Sequence, residues 1–118
     1  MKVEYWFRGK RLSDNQWEYG GVNDRNTAII SCHQFIPIDP DTLGMHTGEH
    51  DIHYIGIYHG DILEMVGAPK KCLIVVQLTK YGWTFELHED SVMDQFPDDF
   101  SMGQCKVVGN IWDGVKND

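Results

Sequence analysis

The chain reads as a mainly β protein: a small β-barrel or sandwich of short antiparallel strands, with one short helix near 89–96. Three observations predict this class. Aromatic and β-branched residues come in strand-length runs, the runs end at Gly, Pro, Asn and Asp turn signals, and only one stretch carries helical spacing. The 118 residues fit one domain, 1–118.

The elements follow in order. Val3 to Arg8 (V-E-Y-W-F-R) is rich in aromatic and β-branched residues and predicts a strand. Asp14 and Asn15 mark a turn, and W-E-Y-G-G-V from Trp17 to Val22 completes an N-terminal hairpin. Thr27 to Ile38 is a third run, with Pro37 and Pro40 marking an edge or an exit from the sheet. D-P-D-T-L-G then reads as a turn. Tyr54 to Tyr58 and Ile62 to Val66 are short strands around His59-Gly60-Asp61. Cys72 to Leu78 is the strongest core strand. Lys80-Tyr81-Gly82 turns it into Trp83 to Leu87, where Trp83, Phe85 and Leu87 alternate inward. The helix is expected over Glu89 to Phe96, where Val92, Met93 and Phe96 share a helical face, Asp90 or Ser91 caps it and Pro97 stops it. Lys106 to Trp112 is a last strand, with a bulge or turn at Gly109-Asn110.

Composition excludes several functions. No run approaches the roughly 18 apolar residues of a membrane span, the longest being Cys72 to Val76. The early charge of Glu4 and the lack of a long apolar stretch argue against a signal peptide. Cys32, Cys72 and Cys105 are odd in number and widely spaced, which predicts reduced thiols and a cytoplasmic protein. A net charge of −8 opposes nucleic-acid binding through phosphates. Charge is uneven, however. Lys2, Arg8, Lys10 and Arg11 make the start basic, while Tyr81 to Gln104 holds Glu86, Glu89, Asp90, Asp94, Asp98 and Asp99 and no Lys or Arg. That block is a solvated surface, or a docking face for a basic partner.

The stretch Thr47 to Ile62 is the most informative. It sets two Gly-centred turns, Thr47-Gly48 and Gly60-Asp61, around a β segment. His46, Glu49 and His50 spell H-x-x-E-H, and His53 follows. Such spacing binds zinc when a helix stacks the imidazoles, but Gly44, Gly48 and the β segment oppose a helix. His46, His50 and His53 remain the candidate ligand set for a looser metal site; otherwise they are surface imidazoles. Asp61, following Gly60, is placed to accept backbone N–H groups and hold the turn. There is no phosphate-cradling glycine motif and no G-x-S-x-G elbow. The four Trp, five Tyr and five Phe serve packing, a base-stacking platform or a subunit interface.

Four segments in order resemble the YopX family of bacteriophage and prophage proteins. They are F-R-G-K-R at Phe7 to Arg11 with W-E-Y-G at Trp17 to Gly20; I-D-P-D-T-L-G at Ile38 to Gly44; T-G-x-x-D at Thr47 to Asp51 with I-Y-x-G-D-I at Ile57 to Ile62; and V-V-G-N-I at Val107 to Ile111. In the central motif the matching residues are Thr47, Gly48, Asp51, Tyr58, Gly60 and Asp61. Two departures stand out. The family's D-x-x-G turn reads Asp51-Ile52-His53-Tyr54 here, which implies a looser or differently bonded hairpin, and the family's Pro-Glu-Leu ending is missing. The resemblance implies a mainly β, phage-encoded, cytoplasmic, self-associating protein. It implies no enzyme activity, no cofactor and no catalytic set.

The leading expectation is a non-enzymatic accessory protein that works by protein–protein contact. It would be a homo-oligomer, with a bacterial host protein docked on the acidic surface of Glu89, Asp90, Asp94, Asp98 and Asp99 and with no membrane or nucleic-acid partner. The alternatives are a small-molecule or nucleotide sequestering protein, and a metal-dependent enzyme using His46, His50 and His53.

Overall fold

A computed structural model describes residues 6–93, 95 and 100–116. Among these, the chain forms ten β-strands, one 3-10 turn at Met102–Gln104 and no α-helix. The mainly β class and the short antiparallel strands are as the sequence predicts. The chain divides into two compact units, Met1–His46 and Thr47–Asp118.

The first unit is built by β1 (Phe7–Arg11), β2 (Trp17–Val22), β3 (Ala28–Ser31) and the first part of β4 (Gln34–His50). Each pairs antiparallel with the next, and β1 also pairs with β4, so the four strands form a closed ring of pairings. Closure removes open edges. Ala28, Ile29 and Ile38 are buried. Gly9 and Gly20 allow the close packing. A Cβ on Gly9 would stand 2.6 Å from Ile38 Cδ1, and one on Gly20 would stand 2.3 Å from the Ile30 carbonyl oxygen. Trp17 lies under two cations, with the Arg8 guanidinium carbon 4.5 Å and Lys10 Nζ 5.5 Å from its ring.

Two expectations change in this unit. The single run Thr27 to Ile38 is a hairpin, in which Ser31 faces Gln34 and Cys32-His33 form the turn. Both turn residues have positive φ, 49° and 65°, which makes it a type I′ turn, matched to strand twist. Neither residue signals such a turn, so local reading sees one strand. D-P-D-T-L-G, expected as a turn between strands, lies inside β4 as an irregularity. Arg8 faces Gly44 while Lys10 faces Asp39, so the β4 residues between them bulge out. Thr42 holds the bulge: its hydroxyl accepts the Lys10 N–H at 2.8 Å and donates to the Asp39 carbonyl at 2.7 Å.

The second unit carries a five-stranded antiparallel sheet in the order β10-β9-β6-β7-β8. Its members are β6 (Asp61–Met65), β7 (Leu73–Thr79), β8 (Gly82–Leu87), β9 (Cys105–Asn110) and β10 (Gly114–Val115). The short β5 (Gly56–Tyr58) pairs with β4. One face of the sheet packs Ile57, Leu63, Met65, Cys72, Ile74, Val76 and Cys105 into a core, with Trp83, Phe85 and Leu87 half-buried against it. The opposite face buries Ile62, Leu73 and Val75. Strands covered on both faces read as continuous apolar runs, as Cys72 to Val76 does.

The helix expected over 89–96 is a correction. Asp94 and Phe96 lie outside the described residues, but Glu89–Met93 form turns and bends. Their backbone donors go elsewhere. The N–H groups of Val92 and Met93 both point to the Lys71 carbonyl, at 2.8 and 3.1 Å. The Ser91 hydroxyl accepts the Leu73 N–H and donates to the Lys71 carbonyl. These bonds dock the segment onto the chain just before β7, and Glu89–Met93 follow that path without helical turns.

Candidate functional site

The central motif lies in the second unit, and its carboxylates hold backbone. Asp51 is buried, following the end of β4. Its Oδ1 accepts the N–H groups of His53 (2.8 Å) and Ile55 (2.9 Å), and its Oδ2 accepts that of Val107 (3.0 Å) on β9. Its own N–H donates to the Ile55 carbonyl, and its carbonyl accepts the Tyr54 N–H. One side chain thus closes a loop and ties it to a strand far away in sequence. Asp61 is 1% exposed, and its Oδ2 accepts the Tyr58 N–H at 2.8 Å across the Gly60 turn.

Gly60 has φ 90°, and the Trp112 ring lies against it, so that a Cβ would stand 2.4 Å from Cζ3. The Gly60 amide donates to Val76 and its carbonyl accepts the Ile111 N–H, so this turn joins the β7 and β9 sides of the sheet. The V-V-G-N-I segment answers it. A Cβ on Gly109 would stand 2.0 Å from the Gly114 carbonyl oxygen, and Asn110 Oδ1 accepts the N–H groups of Trp112 and Asp113. Thr47 caps its own bend by accepting the Glu49 N–H, and Gly48 takes φ 88°.

The turn lacking its glycine closes all the same, through the Asp51–Ile55 and Tyr54–Asp51 backbone bonds and the Asp51 carboxylate. Tyr54 stands where the family's glycine would and adopts φ 63°. An L-residue in the left-handed region carries a penalty of about 1–2 kcal/mol. Tyr54 recovers nothing by burial, being 80% exposed. Beside it Ile52 and Ile55 are also exposed. Ile52 donates its N–H to the Cys105 carbonyl at 2.8 Å, which anchors the loop to the start of β9.

The histidines do not gather. His46 is buried and belongs to the first unit, whereas His50 is half-buried and His53 exposed in the second. His46 and His50 both lie in β4, and a strand advances about 3.3 Å per residue, so it does not stack positions four apart as a helix does. Among the described residues, no group of three His, Cys, Asp or Glu side chains is arranged to hold a metal ion. Other imidazoles are structural acceptors: His59 Nδ1 takes the Leu78 N–H and His88 Nδ1 takes the Asp90 N–H. Of the acidic set, Glu89 and Asp90 are exposed, and Asp94, Asp98 and Asp99 lie outside the described residues.

Two titrations are shifted at the core. Burial raises the Cys105 thiol to about 11, with the nearby Cys72 and the Asp51 charge adding to it, and burial also raises Cys72. Both thiols stay protonated at neutral pH. Sequence reasoning had no signal for Tyr54 as a strained position beyond the missing glycine, nor for the reach from Asp51 to Val107.

The fold and this motif define a mainly β protein whose signature residues hold turns. The YopX protein family matches residues 2–115, and the chain belongs to that family. No curated protein and no solved structure matches it.

Proposed function

We propose that this chain is a phage-encoded accessory protein that acts in the bacterial cytoplasm by protein–protein contact, as a homo-oligomer that also docks a host protein. The observation that carries this reading is Tyr54. Stability alone favours glycine at a left-handed, solvent-exposed position, so a large exposed aromatic there is retained for another purpose. Tyrosine is a common anchor of protein interfaces, and Ile52 and Ile55 extend the apolar surface around it. The motif carboxylates fit a scaffold role, since Asp51 and Asp61 accept backbone amides.

The test separates contact from stability. Tyr54→Gly raises the stability of the fold by about 0.5–1 kcal/mol, the relieved strain less the entropy of glycine, while capture of the host partner in pull-downs falls. Unchanged capture with a more stable protein removes this surface. Charge reversal at Asp94, Asp98 and Asp99 tests the acidic face in the same assay, with loss of capture expected.

A further inference from the structure

We infer that the free edge of β8 pairs with β8 of a second copy about a two-fold axis, extending the second unit's sheet through a dimer. The inference rests on the homo-oligomer reading and names its surface.

β8 is the last strand of its sheet. The His88 N–H donates to the Leu73 carbonyl at 2.8 Å, and the register runs from Ile74–Leu87 to Thr79–Gly82. Hydrogen-bonded and non-bonded pairs alternate along an antiparallel ladder. The amides of Gly82, Thr84 and Glu86 therefore face β7, and those of Trp83, Phe85 and Leu87 face outward with their carbonyls. An edge of this kind is normally blunted by lysine, proline or a bulge. G-W-T-F-E-L contains neither Lys nor Pro, and its pairing with β7 runs without a register shift.

The occupant follows from charge and pattern. Lys80 is exposed at the turn end of β8, and Glu89 and Asp90 are exposed just past the other end. An antiparallel two-fold sets the turn end of each copy beside the acidic end of the other. With the axis at Phe85, the outward groups of Trp83 meet those of Leu87 in the second copy, and Glu86 meets uncharged Thr84. Lys80 and Asp90 are equidistant in sequence from Phe85, so the opposite charges meet twice. Trp83, Phe85 and Leu87 are half-buried on the core face, and pairing continues that apolar row across the axis.

The experiment is sedimentation of the full chain from about 1 to 100 µM, with amide exchange read at Trp83, Phe85 and Leu87. A dimer is expected, with these three amides protected more at high concentration. Lys80→Glu weakens it about five- to tenfold through two rim pairs turned repulsive, and Lys80→Glu with Asp90→Lys restores it. A wild-type oligomer indifferent to Lys80→Glu, with the three amides exchanging fast, overturns this surface and leaves the homo-oligomer reading standing. A monomer at the highest concentration overturns both, whether those amides exchange fast or are covered by the chain itself.

Discussion

At the scale of single residues, the family signature is a set of backbone fasteners. Asp51 accepts amides from His53, Ile55 and Val107, and Gly60 yields its Cβ space to Trp112. Hydrogen bonds to a charged acceptor contribute about 1.5–3 kcal/mol each, and stranding buried donors costs the same order. Asp51→Ala is therefore expected to lower unfolding stability by about 3 kcal/mol or more, measured by urea titration. A loss under about 1 kcal/mol would show that water replaces the carboxylate. Asp51 was legible as a motif residue because it stands in T-G-x-x-D. Its tie to Val107 was not, because nothing local marks which distant amide a carboxylate will meet.

At the scale of elements, the β3–β4 hairpin stores strain in its turn. Cys32 and His33 both occupy the left-handed region, at 49° and 65°, where Asn-Gly is the preferred pair. Replacing Cys32-His33 by Asn-Gly should stabilise the protein by about 1–2 kcal/mol, read as a higher thermal midpoint. An unchanged or lowered midpoint would mean the two side chains contribute contacts that offset their backbone cost. The segment after β8 illustrates the converse. Val92 and Met93 carry helical spacing, yet their amides go to Lys71. Helix propensity over so short a stretch is weak beside tertiary hydrogen bonds.

At the scale of the whole molecule, the buried thiols set an alkaline limit. Cys105 is raised to about 11 by burial first and by Cys72 and Asp51 next, from an ordinary value of 9.0. A raised thiol favours the folded state while it is protonated. Its contribution is complete below pH 9.0 and is lost as the pH climbs through about 11, because the unfolded chain sheds that proton first. Cys72 acts in the same direction. Denaturant midpoints should therefore fall between pH 9 and 11, and the fall should be smaller in Cys105→Ala than in the parent. An equal fall in both would trace the alkaline loss to other groups.

The sequence alone determined the class, most strands and the glycine corners. Alternation in W-T-F-E-L, the apolar run at Cys72 to Val76 and the glycines of the four motifs are local signals, and local sterics suffice to read them. Tertiary structure alone decided where backbone donors and acceptors found partners. It folded Thr27 to Ile38 into a hairpin, absorbed D-P-D-T-L-G into β4, unwound the expected helix at Glu89–Met93 and placed Tyr54 in a glycine's conformation. The reason is that every buried amide must be satisfied, and the partner that satisfies it is chosen by the assembled sheet rather than by its neighbours in the chain.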